Sequence, residues 1–233
     1  MRKESQWVLK CRFRNKMALL FAILPPLLIA YYIYQKDKYD REPKRLIIKS
    51  FIFGCIGILP ALFLELICNQ SLFPNLFLYV FFGIALIEEG VKYFFLRKYM
   101  YNDVAFNEPM DGIVYAVMIS LGFATVENIA YVLNNPGQEI NVALMRMFTA
   151  IPLHAVCGVI LGYFVGLAKF SENKKMLLYK GLFLATLVHA LYNYFIFLGH
   201  GFIFSIIALI VAIYYSKKAI KLHQEDSKNR NNL

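Results

Sequence analysis

The sequence predicts an all-α, polytopic membrane protein, a bundle of about seven transmembrane helices, and three observations carry that prediction. The chain of 233 residues is 59% hydrophobic and 16% aromatic, with a mean hydropathy of +0.53, far from the averages of a water-soluble domain. Its apolar residues fall in long runs, near 17–35, 46–68, 74–96, 110–133, 142–168, 177–198 and 201–215, each close to the roughly 20 residues that one helical crossing needs. The alternating pattern of a membrane β-barrel is missing, and runs this long do not suit strands of a soluble sheet.

The first run is long, holds Pro25-Pro26 and lacks a small-residue cleavage site before the polar loop, so it reads as a retained helix and not a signal peptide. A basic arm, residues 1–16, precedes it, with Arg2, Lys3, Lys10, Arg12, Arg14 and Lys16; Met17 opens the apolar run. The arm reads either as a surface-lying extension or as sequence upstream of a start at Met17. Residues 17–216 then form one transmembrane domain and 217–233 a basic cytoplasmic tail. The net charge of +10 is informative through its distribution. The first, third and fifth loops and the tail hold Lys and Arg, whereas the second, fourth and sixth hold none. Odd loops and the C-terminus are therefore predicted cytoplasmic and the N-terminus outside, with the lipid bilayer and no nucleic acid as the partner of the charge. Cys11, Cys55, Cys68 and Cys157 lack CxxC spacing and read as apolar filler.

Ionisable residues stand inside the apolar runs. "IALIEEGVKYFF" places Glu88, Glu89 and Lys92 together; Glu127, Arg146, His154 and His189 lie at membrane depth on other helices. Each charge facing lipid near the bilayer centre would cost about 2.5–3.5 kcal/mol, so these groups are expected to face one another or trapped water. Glu88 and Glu89 lie four and three residues before Lys92, on its face of a helix. Two adjacent carboxylates beside one lysine suit general acid–base chemistry. Arg146, Ala150, His154, Gly158, Gly162 and Gly166 recur every four residues, and Gly181, Ala185, His189 and Asn193 repeat the pattern; small residues at this spacing permit close helix approach. Glu127 and Asn128 close a similar series in the fourth run. At 1.5 Å per residue from the inner helix ends, Glu88 falls about 13 Å deep, His189 about 13–18 Å, His154 about 21 Å and Glu127 about 25 Å, a spread that a shared site must close. Glu65, His200 and His223 read as solvated, Asp111 as a helix cap, and "KDKYDREP" and "NEPMDG" as solvated acidic–basic hairpins.

The segments "EEGVKYF", "FATVENIAY", "PLHAVCGVILGYFVG" and "HALYNYFIF", with "DKYDREP" after the first helix, resemble the PrsW family of bacterial intramembrane proteases from about Met17 to about Lys221. That family is similar to the CAAX prenyl protease and bacteriocin-processing superfamily, whose motifs are EExxxR, FxxxH and HxxxN. The resemblance implies Glu88, Glu89, Glu127, His154 and His189 as catalytic residues, with Asn193 completing HxxxN. Lys92 stands in place of an arginine one position later, and Glu127 where the relatives have histidine. The resemblance further implies first-step cleavage of a single-pass anti-sigma factor, outside the cytoplasm, in envelope stress signalling.

Two chemical readings follow. In the metal-free one, taken first, no cofactor is needed: Glu88 or Glu89 deprotonates water, helped by Glu127 or His154, while His189 and Asn193 donate to the oxyanion, and Asn128 and Lys92 donate or orient. In the other, His154, His189 and Glu127 bind Zn²⁺ and leave a position for water. A proton- or ion-coupled transporter is the alternative function, since relays use the same residue types, although no inverted repeat is evident. A scaffold whose polar groups fix helix register is a third.

Overall fold

The computed structural model describes residues 2–199 and 202–230, with side chains from residue 14 onward; His200 lies outside the described residues. Among the described residues six spans are long and apolar enough to cross a membrane, one of them, Glu139–Lys169, made of two helices; a further helical run over 76–100 corresponds to the remaining predicted crossing, so that eight helices result. In chain order they are α1 (Arg2–Lys36) and α2 (Lys44–Ile67), then α3, a continuous run over 76–100, and α4 (Pro109–Leu133). The chain continues with α5 (Glu139–Phe148), α6 (Ala150–Lys169), α7 (Lys174–Phe197) and α8 (Phe202–Arg230).

Small residues decide which helices are central. Buried residues make up 78% of the most apolar window of α4 and 72% of that of the α5–α6 pair, against 28–33% for the other four spans, so α4 and α6 are the inner pair. Gly112 of α4 and Gly162 of α6 meet backbone to backbone, and a Cβ on Gly162 would overlap the Gly112 carbonyl. Substituting Gly162 with alanine is expected to cost about 1–3 kcal/mol or more by overpacking, and activity should fall with it because this seam holds Glu127 to His154. Thermal melting of the detergent-solubilised protein, with a cleavage assay, checks both effects; a melting point equal to wild type would refute the close approach.

Two departures from straight helices place the polar residues. The run α3 is π-helical over Tyr79–Ala85 and Leu96–Met100, flanking the α-helix Leu86–Phe95 that carries the glutamates and Lys92; π-bulges of this kind recur at functional sites. The predicted fifth helix is broken at Thr149, with φ −123° and ψ −70°. Pro152 explains the break, because it has no N–H to offer the Phe148 carbonyl and its ring crowds that carbonyl in a continuous helix. The every-fourth-residue stripe from Arg146 to His154 is therefore not one straight helical face.

The odd loops and the C-terminal segment gather on one face. Gln224 donates to the Lys36 carbonyl (2.5 Å), Ser227 to Glu108 (2.8 Å) and Lys169 to the Tyr101 carbonyl (2.6 Å). Over 217–230 the basic segment continues α8, burying Ile220, His223 and Ser227 at helical spacing, and two expectations are corrected here. His223 is not solvated but stacks on Tyr163 at 4.3 Å and bonds the Tyr163 carbonyl at 3.1 Å. The loop motifs are not solvated hairpins, because Asp37, Glu42, Glu108 and Asp111 are all buried. Burial is the largest cause that pushes Asp37 up to about 6 and Glu42 and Glu108 up to about 7. Asp111 does act at the start of α4, as expected, its Oδ2 accepting the backbone N–H groups of Asn107 and Glu108 at 2.7 Å each.

Candidate active site

Five helices bring the intramembrane charges into one network. Lys92 is 1% exposed, and its Nζ reaches Glu89 Oε1 at 2.8 Å, Glu88 Oε2 at 3.3 Å and His154 Nδ1 at 3.0 Å. An ammonium has three N–H donors, and here they face three acceptors, while the Phe123 ring lies 4.3 Å from Nζ. His189 Nδ1 bonds the same Glu89 oxygen at 2.9 Å. On the other side, Glu127 Oε2 meets His154 Nε2 at 2.8 Å and Arg146 Nη2 at 2.8 Å. The depth spread estimated from straight helices is thus closed by direct contacts between long side chains.

The partners fix the tautomers. With Lys92 donating to His154 Nδ1, the proton of neutral His154 sits on Nε2 and is given to Glu127. Glu89 can only accept, so His189 donates from Nδ1 and presents a lone pair at Nε2. With its proton on Nδ1 alone, His189 accepts at Nε2.

A cavity of about 580 Å³ sits beside this network, lined by Glu88, Glu127, His154, His189 and Asn193, with Glu65 and Arg146 also on its wall. Glu89 is 0% exposed and lies behind, holding Lys92 and His189. Glu65, expected to be solvated, instead faces this cavity. Asn128 does not point its amide oxygen at the centre; it accepts from Arg146 Nε at 2.5 Å. Arg146 is the residue left out of the expected site, and it also lies 3.8 Å from the Tyr131 ring. The sequence signal for it was an arginine at membrane depth, two i+4 steps before a histidine.

The donor atoms suit a divalent metal in chemistry. Glu88, Glu89, His154 and His189 offer ligand atoms within 4.8 Å of one another, and Glu89 Oε2 is buried without a hydrogen-bond partner. This set contains Glu88 and Glu89 in place of Glu127, whose Oε2 is taken by His154 and Arg146. The Lys92 ammonium lies against three of the four donors.

Residues 42–216 match the sequence pattern of the PrsW family intramembrane metalloprotease. The chain belongs to the PrsW family. Protease PrsW of Oceanobacillus iheyensis is 38% identical over 207 residues, covering 84% of this chain and 93% of that protein. Protease PrsW of Bacillus subtilis is 31% identical over 83% of this chain and 88% of its own length; that of Clostridioides difficile is 32% identical over 83% and 84%. No solved structure matches the chain. As a PrsW family member it is a multi-pass membrane peptidase, acting on membrane-anchored substrates within the bilayer.

Proposed function

We propose that this PrsW family peptidase makes the first cut in a single-pass anti-sigma factor, on the outer side of a bacterial cell membrane. The observation that carries this reading is where the cavity opens. Its rim is made by Glu65 near the end of α2, Asn134 and Asn135 after α4, Phe197 at the end of α7 and Phe202 at the start of α8. Asn134 and Asn135 lie in an even loop and the other three at helix ends that lead into even loops; these loops carry no Lys or Arg, whereas the basic odd loops gather on the opposite face. By the positive-inside rule the even loops lie outside the cytoplasm, so the N-terminus is outside and the C-terminus inside.

Within the cavity, Glu88 is the base. It takes a proton from a water that also donates to the lone pair of His189 Nε2, and the water oxygen bonds to the peptide carbonyl carbon. Asn193, one turn beyond His189, donates to the oxyanion. As the C–N bond breaks, Glu88 returns the proton to the leaving nitrogen. Glu89, Lys92, His154 and Glu127 are positioning residues that fix these two groups. Glu88, Glu89 and His189 would hold a metal, joined by His154 only with Lys92 withdrawn from its Nδ1; when bound it would supply Lewis-acid polarisation and a more acidic water.

The test is co-expression with a single-pass anti-sigma factor tagged at both ends, and mass spectrometry of the product ends. Cleavage within or just outside the outer half of the span is expected. Cleavage on the side of the odd loops would overturn the assigned face, and substrate-independent ion uptake in proteoliposomes would favour transport.

A further inference from the structure

A second buried acidic cluster lies at the other end of the bundle, and the peptidase chemistry makes no use of it. It joins the loop after α1, the loop before α4 and the end of α8. One oxygen of each of Asp37, Glu108 and Asp111 lies within 4.8 Å of the other two. Oxygens bound to one Ca²⁺ at about 2.4 Å are separated by at most about 4.8 Å, a spacing that all three pairs here meet.

The cluster is short of donors and of positive charge. Asp37 is 1% and Asp111 0% exposed; Asp37 Oδ1 is buried with no hydrogen-bond partner, and no N–H reaches Asp111 Oδ1, whose carboxyl faces that of Glu42. Each has its other oxygen engaged, Asp37 Oδ2 by the Glu42 N–H at 2.9 Å and Asp111 Oδ2 by two backbone N–H groups. Glu42 adds a fourth carboxylate, bonded by the Tyr115 hydroxyl. Among the described residues no Lys or Arg makes an ion pair with any of the four. The nearby cations are occupied elsewhere: Arg41 donates to the Asp37 carbonyl and Gln35, Arg230 to Asp226, and Lys169 to the carbonyls of Tyr101 and Asp103. Buried carboxylates of one sign need a cation or protons, and an all-oxygen donor set selects a hard cation over a soft one.

We propose that Asp37, Glu108 and Asp111 form a structural site for one hard divalent cation of the Ca²⁺ or Mg²⁺ type. The ion ties the first and third loops together at the start of α4 and, through the Ser227 hydroxyl on Glu108 at 2.8 Å, holds the end of α8 against them. It is separate from the cavity that holds Glu88 and His189.

The test uses the full chain in detergent, stripped with EDTA and titrated with Ca²⁺, Mg²⁺ or Mn²⁺ alone, reading thermal melting. Terbium luminescence is read in parallel, because Tyr115 is placed to sensitise a lanthanide at this site. Saturable stabilisation by at least one ion is expected, together with a terbium signal that the same ion displaces. Both should be lost in Asp37→Asn and Asp111→Asn and kept in Glu88→Gln. Gel filtration confirms that the variants remain folded, and the wild-type response with and without EDTA does not depend on them. No stabilisation of wild type by any of the three ions would mean that shared protons hold the cluster and would overturn the site. So would a response that survives both aspartate substitutions, or one lost in Glu88→Gln.

Discussion

Glu88→Gln is expected to lower the rate of substrate cleavage by about 10²- to 10⁴-fold, the range that a general base contributes, while leaving the fold in place. The amide is isosteric, and its oxygen can still accept from Lys92 at the 3.3 Å position, the longer of the two Lys92 carboxylate contacts. What it cannot do is take a proton from water. Glu89→Gln should behave differently, because Glu89 holds Lys92 and His189 and does not line the cavity. Its loss acts through the orientation of His189, so its activity defect should come with a lower melting temperature, whereas that of Glu88→Gln should not. Purified variants assayed on the same tagged substrate, alongside melting curves, separate the two. Wild-type rates in Glu88→Gln would remove Glu88 as the base.

Much of this site was legible in the sequence because hydrocarbon makes a blunt selection. Each of Glu88, Glu89, Lys92, Glu127, His154 and His189 sits in an apolar run, and solvation cost alone required partners; the structure supplies those partners from the same list. The seven apolar runs likewise became helical in the order read, the fifth as two helices. The failures share a different cause. His223 and the acids of "DKYDREP" and "NEPMDG" lie in polar stretches, where local composition defaults to solvent, and only long-range contacts such as Ser227 to Glu108 and Asn107 to Asp40 bury or hold such loops. The break at Thr149 was carried by Pro152, a local signal outweighed by the regular spacing of small residues around it.

Replacing Lys92 with methionine should be the most damaging single change to stability. It removes a cation that reaches both Glu88 and Glu89, at a side chain only 1% exposed, and breaking a buried pair by deleting one partner costs about 3–5 kcal/mol. The Arg146–Glu127 pair makes a useful comparison, since its side chains are 16% and 17% exposed and border the cavity; trapped water can screen Glu127 if Arg146 is lost, so Arg146→Met should cost less. If the penalty of Lys92→Met comes from an uncompensated carboxylate, adding Glu89→Gln to it should restore part of the melting temperature, a non-additivity expected of groups in contact. Activity should not return, because His189 then has no charged acceptor at Nδ1. Melting curves of the two single variants and the double variant measure this directly: additive losses would mean that Lys92 acts through packing against Phe123 and not through charge.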